Sequence, residues 1–151
     1  MKQWYIYLSG EIHTDWRLQI ETGTKAAGLP ITHYAPVTNH DYSDDCGVHI
    51  LGNEPDKFWH DHKGANMNAI RTRTLIKKSD IVIVRFGHEY KQWNAAFDAG
   101  FAAALDKPMI IMHDAKIQHA LKEVDAAALA VAETAEQIVD TLRYVINGEL
   151  G

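Results

Sequence analysis

The chain has 151 residues, of which 46% are hydrophobic, one is cysteine and four are tryptophan, and its formal net charge is −5. That length suits one domain, residues 1–151, which buries roughly 68–70% of its unfolded surface without disulfide staples. The lone Cys46 excludes an internal disulfide framework, the scattered Lys and Arg residues offer no basic surface for long nucleic acid, and no apolar run approaches the roughly 20 residues of a membrane span.

Trp4-Tyr5-Ile6-Tyr7-Leu8 reads as the first strand, ended by Ser9-Gly10. The opening MKQWYIYLSG has too short an apolar run for a signal peptide, so a cytoplasmic location is expected. A helix follows over about 15–27, with Thr14 as its N-cap and Gly28 and Pro30 as its stop. Residues 31–34 read as the second strand. The stretch 36–63 is polar and contains Pro36, Gly47, Gly52 and Pro55, so it reads as a long loop, either functional or inserted. A helix is expected over 65–78, with Arg71, Arg73, Lys77 and Lys78 on a solvated face.

Asp80-Ile-Val-Ile-Val-Arg85 is the clearest strand, β-branched and so expected to be buried on both faces. Then come a helix over 92–105, a strand over 107–112, a short strand over 129–132 and a closing amphipathic helix over 133–146. This alternation predicts an α/β fold, a flavodoxin-like three-layer arrangement around a five-stranded parallel sheet of order 2-1-3-4-5. Such sheets bind ligands at the carboxyl ends of their strands, near the point where strand order reverses. That directs attention to 9–13, 36–40, 85–93 and 113–114.

The helix over 92–105 carries a carboxylate in apolar surroundings. Plotted at 100° per residue, Trp93, Ala96, Phe97, Gly100, Phe101 and Ala104 form one stripe, expected to pack on the sheet. The other side carries Ala95, Ala99 and Ala102, so its outer surface is expected to meet a pocket or a partner subunit. A homo-oligomer, a dimer or higher, follows as an expectation. Asp98 lies on the alanine side, with Asn94 one turn earlier. Two readings stand for Asp98. One is a structural partner for an Arg or a loop; the other is a partly desolvated carboxylate held near a ligand.

At these residues the sequence resembles the nucleoside 2-deoxyribosyltransferases. Ile6-Tyr7-Leu8-Ser9-Gly10 is similar to their tyrosine-containing, glycine-rich first turn, and Asp80-Ile81-Val82-Ile83-Val84 to their Asp-opened strand. Asp98-Ala99-Gly100-Phe101-Ala102 and Asp106-Lys107-Pro108 match their acid-x-Gly-x-Ala helix and the turn after it. The match spans about 4–113, and the segments around Tyr7–Arg17 and Gln92–Gly100 resemble the YtoQ family more closely. The resemblance implies a covalent glycosyl-enzyme route, in which a carboxylate attacks C1′ while the base departs. It implies Asp98 as nucleophile, Tyr7 beside it, and Ser9, Gly10 and Glu11 bordering the base or sugar. There are departures. The transferases carry Glu where Asp98 stands, a side chain longer by one methylene, about 1.5 Å. Gln92 and Thr72 occupy positions of two of their helper acids. Glu11, with Asp15 or His13 as alternatives, is then the candidate for the missing acid.

The remaining features each admit a bland reading. Glu11 and His13 form a candidate acid/base pair, or Glu11 caps the following helix. Trp16, Phe86, Tyr90 and Trp93 stack on a base or pack in the core, core packing being favoured for Trp93 over Phe86 and Tyr90. Arg85 binds a phosphate or carboxylate, or forms a structural ion pair, for which Asp98 is a candidate partner. His60-Asp61-His62 has no spacing motif for further ligands, so neither a metal nor another cofactor is assigned. The leading expectation is an enzyme acting on the N-glycosidic bond of a nucleoside, nucleotide or related N-riboside. The alternatives are a non-catalytic nucleotide-binding or sensor module and, behind it, a metal-dependent hydrolase built on His60 and His62.

Overall fold

The computed structural model describes residues 1–151. In chain order the elements are β1 (Trp4–Gly10), α1 (Trp16–Ala26), β2 (Ile31–Tyr34), α2 (His40–Leu51), α3 (Lys57–Lys78), β3 (Ile81–Arg85), α4 (Trp93–Ala104), β4 (Met109–Met112), α5 (Lys122–Ala126), β5 (Ala130–Ala132) and α6 (Ala135–Asn147). The five strands form one parallel sheet of order β2-β1-β3-β4-β5, the flavodoxin-like order expected from the alternation. The chain divides into two compact units: Met1–Tyr34 with Ser79–Gly151, which holds the sheet, and Ala35–Lys78, which holds α2 and α3. No helix is long and apolar enough to cross a membrane.

In the sheet unit, strand alternation sorts the core into two faces. Ile6 and Leu8 of β1, Ile81 and Ile83 of β3, and Ile110 and Met112 of β4 cluster with Trp16 and Ile20 of α1 and Ile138 and Leu142 of α6. Tyr7, Val82, Val84 and Ile111 take the opposite face, along which α4 runs. The helix α6 starts with a capping box between Thr134 and Gln137 and ends at Gly148 in the left-handed region, φ 74°.

Two expectations are corrected. The first concerns α4, which is rotated away from the expected orientation. Ala95, Ala99 and Ala102 are the buried positions, while Trp93 is 73% and Phe97 62% exposed. The physical reason is size. Alanines let the helix backbone lie close on a β-branched sheet face, where a row of rings would hold it away. A stripe plot weighs bulk and so picks the wrong side.

The second concerns 36–63, which is helical over most of its length. Asn39 caps α2, its Oδ1 accepting from Tyr42 N at 3.0 Å, and Asp56 Oδ1 accepts from Phe58 N at 2.9 Å at the start of α3. These helices are polar nearly all round, and their glycines look like loop punctuation. In fact the glycines make the contact between them. A Cβ on Gly47 would lie 2.5 Å from Lys63 Cβ, and one on Gly64 2.9 Å from the Asp44 carbonyl. A mid-helix Gly costs about 1 kcal/mol in propensity, offset here by the close approach that it permits. In the same unit His60 Nε2 lies 3.0 Å from Asp45 Oδ1, while the His62 ring stacks on Phe58. The two histidines of the triplet thus serve different contacts.

Candidate active site

The connection from β1 leads to β2 on one side, and β3 pairs on the other, so the β1/β3 edge is where strand order reverses. Alternation puts Ser9 on the same face as Tyr7, the face of α4. There Ser9 Oγ donates to Asp98 Oδ2 at 2.6 Å, the one hydrogen bond that Asp98 accepts. Asp98 is half-buried. Burial pushes its carboxyl above the usual carboxylate range, and the Ser9 hydroxyl pulls it only partly back.

One residue later the chain turns. Gly10 has φ 122°, and a Cβ there would lie 2.1 Å from the Arg85 carbonyl oxygen, so only glycine fits. The turn sends the Glu11 side chain back over the start of α1. Its carboxylate accepts from His13 N at 2.7 Å, Thr14 N at 3.1 Å, the Thr14 hydroxyl and Arg85 Nη1 at 2.9 Å. Burial alone would raise its pKa, but these four donors outweigh it and hold Glu11 below its ordinary value. Both amides precede α1, whose N-cap is Asp15 rather than the expected Thr14 and which has no side-chain cap, so Glu11 ties the β1–α1 turn instead of capping the helix. Arg85 pairs with Glu11 rather than Asp98, and its Nε is buried without a hydrogen-bond partner.

The β3–α4 loop is tied by Gln92. Its Oε1 accepts from Gly87 N at 2.9 Å, and its Nε2 donates to the carbonyls of Glu89 at 2.6 Å and Tyr90 at 2.9 Å. An Asp has no donor for the last two bonds. Tyr90 is held in the left-handed region, φ 63°, with its ring centroid 4.3 Å from that of His13.

The other candidates divide by burial. Tyr7 is wholly buried, Trp16 is 2% and Phe86 6% exposed, so none presents a ring face to a ligand in this conformation. Trp16 Nε1 instead donates to the Glu11 carbonyl at 2.8 Å. Trp93 and Asn94 are exposed, with the Lys91 ammonium 5.3 Å from the Trp93 ring centre. Trp93, expected in the core, is thus exposed by the rotation of α4, while Phe86 is buried at the end of β3, where its N donates to Met112 O at 2.9 Å. Sequence reasoning passed over Arg17, whose guanidinium touches three carbonyls of the β1 exit. A signal existed: a cation in the first turn of a helix opposes the helix dipole and calls for a compensating contact. At the end of β4, buried His113 places Nε2 2.8 Å from Asp125 and Nδ1 2.6 Å from the Asp114 carbonyl, and Asp114 in turn bonds His88.

Residues 7–146 match the model of the family described as nucleoside 2-deoxyribosyltransferase YtoQ. The chain is also 42% identical over 147 residues to YtoQ of Bacillus subtilis (strain 168), described as an uncharacterized protein, covering 97% of this chain and 99% of that one. The chain therefore belongs to the YtoQ family. Solved structures share the fold at low identity. A conserved protein from Enterococcus faecalis V583 superposes with a TM-score of 0.66 at 13% identity, covering 95% of this chain and 99% of that chain. A 2-deoxyribosyltransferase from Bacillus psychrosaccharolyticus gives 0.56 at 17% identity, with 91% and 95% covered.

Proposed function

We propose that this protein acts on the N-glycosidic bond of a nucleoside, nucleotide or related N-riboside, with Asp98 as the nucleophile. The observation that carries the reading is the Ser9–Asp98 hydrogen bond at the sheet edge where strand order reverses. Ser9 holds one carboxylate oxygen and leaves the other for C1′. Attack forms the C1′–oxygen bond and breaks the N-glycosidic bond, whose electron pair goes to the base nitrogen, which takes a proton. A second base or water then attacks C1′ and releases Asp98 as carboxylate. Glu11, held ionised, serves as an anchor of the β1–α1 turn rather than as the acid. His13, exposed in that turn against Tyr90, takes the role of proton donor in its place.

The test is incubation with a panel of deoxynucleosides and their monophosphates, with and without a free acceptor base, read by chromatography. Base release or exchange is expected, and Asp98→Ala is expected to lower it by on the order of 1,000-fold or more. Activity that survives Asp98→Ala overturns the mechanism. A binding module is the second reading, favoured by the commitment of Gln92 to scaffolding. It predicts no turnover together with a ligand-induced rise in melting temperature.

The same reading includes a cytoplasmic homo-oligomer formed through the outer face of α4. Trp93, Phe97 and neighbouring Tyr90 are each more than 60% exposed, and the helix carries no charge other than Asp98. Light scattering at micromolar concentration is expected to give a dimer or higher, and Phe97→Lys to shift it to monomer. A wild-type monomer overturns this point.

A further inference from the structure

Where β1 leaves the sheet, its two edges differ. Pairing with β2 ends at Tyr7↔Tyr34, whereas pairing with β3 continues to Gly10↔Arg85. Beyond Tyr7, the carbonyls on the β2 side have no strand to bond. Leu8 and Gly10 direct theirs that way, because alternate residues of a strand point to the same neighbour. Both carbonyls lie in a region where Leu8 is wholly buried, and an unbonded buried carbonyl is costly.

Arg17 fills this gap. Its Nε donates to Leu8 O at 3.0 Å, Nη2 to Gly10 O at 3.1 Å and Nη1 to Glu11 O at 2.7 Å. The side chain is 8% exposed, and burial lowers its pKa to about 10, so it stays charged at neutral pH. A cation buried against carbonyls at the start of a helix is poor economy for stability alone. A planar fork suits two acceptors along one strand edge and a third just past the turn, which the single ammonium of Lys does not. The residues that it holds, Leu8 and Gly10, flank Ser9.

We infer that Arg17 is a positioning residue, standing in for the missing continuation of β2 and so fixing Ser9 against Asp98. The inference rests on the reading of Asp98 as the working carboxylate, but its geometry can be tested without turnover. The measurement is the titration of the Asp98 side-chain carboxyl, followed by carbon-13 NMR of Asp-labelled protein. Ser9→Ala removes the hydrogen bond that favours the ionised form and is expected to raise the Asp98 midpoint by about one pH unit. Arg17→Lys is expected to raise it in the same direction, and the double variant to go no higher than Ser9→Ala alone. Thr24→Val is the control, since Trp16 stacks on the Arg17 guanidinium at 4.6 Å and is not independent of it. The control substitution removes a buried hydrogen bond of α1, Thr24 Oγ1 to Ile20 O at 2.8 Å, and is expected to lower the melting temperature while leaving the Asp98 midpoint in place. Arg17→Gln, which keeps an amide donor, serves if Arg17→Lys does not fold, with the same outcomes.

Three results overturn the inference: an Asp98 midpoint unmoved in the Arg17 variant, additive shifts in the double variant, or an equal shift in Thr24→Val. With substrate, Arg17→Lys is expected to lower kcat more than it raises KM. Turnover that persists in Asp98→Ala removes the functional reading, and the titration still decides whether Arg17 sets the Ser9–Asp98 contact.

Discussion

The β1–α1 turn and the helix α4 each bring one carboxylate to the same sheet edge, and they treat it in opposite ways. Glu11 is fully surrounded, with two backbone amides, a hydroxyl and a guanidinium around one carboxylate. Asp98 sits among alanines with a single hydroxyl for company. The first environment stabilises charge and lowers the pKa; the second penalises charge and raises it. A carboxylate that spends all its acceptor capacity on the protein has none for a substrate. One held by a single bond in a half-buried place retains both a free oxygen and a reason to react. The difference separates a structural ion from a chemical one more clearly than either residue's position in the sequence does.

The largest expected effect sharpens this contrast by exchanging loss of stability for loss of activity. Glu11→Gln leaves the shape but breaks a buried ion pair and weakens the hydrogen bonds that tie the β1–α1 turn, which costs about 3–5 kcal/mol. Thermal unfolding is expected to show that loss, while kcat at a temperature where the variant is folded falls far less than in Asp98→Ala. If Glu11→Gln keeps its melting temperature and is as inactive as Asp98→Ala, Glu11 is the acid and the contrast breaks.

Asp98→Asn is expected to move stability the other way. The folded-state pKa of Asp98 is raised, so its contribution is favourable below its unfolded value and is lost as pH rises through the folded value. At neutral pH the ionised group therefore opposes folding. Asparagine removes that penalty and can still accept from Ser9, so a rise in melting temperature of about 2–4 °C at pH 7 is expected. At pH 3, where Asp98 is protonated in both states, the gain is expected to vanish. A lower melting temperature for Asp98→Asn at pH 7 contradicts the assignment of an uncompensated charge.

How far these places were legible in sequence differs for a physical reason. The sheet order follows from runs such as Ile81-Val-Ile-Val84, whose burial at every position is inherent in a central parallel strand. Ser9 and Asp98 were recoverable as neighbours of the strand edge, because alternation and strand order place them. The orientation of α4 was not, since a helix apolar nearly all round carries no single stripe, and the choice between alanine and aromatic faces depends on how close the sheet lies. Glu11 was legible as a carboxylate of the β1–α1 turn but not as the anchor of that turn, because Arg85 reaches it across 74 positions of sequence. The helix α2 and the first turns of α3 escaped because Gly47 and Gly64 act through the surface they expose to each other, which composition does not record.

The smallest expected effect extends the comparison to a third charged residue at the sheet edge. His113, just past β4, faces acceptors at both ring nitrogens, an arrangement that favours the protonated ring. Burial would lower its pKa, but the Asp114 carbonyl, the Asp125 hydrogen bond and the two nearby carboxylate charges raise it. The stabilisation is therefore fully present below the unfolded value of about 6.5 and is lost as pH rises through the higher folded value. Asp125→Asn removes the carboxylate partner, and its destabilisation is expected to be about 1–2 kcal/mol at pH 6. It is expected to be smaller at pH 9, because the wild-type ring holds its proton less as pH rises. Chemical denaturation of both proteins at the two pH values measures the difference. A penalty that is equal at pH 6 and pH 9 shows that Asp125 supports α5 by packing alone, and that His113 is not held as a cation like the arginine opposite Glu11.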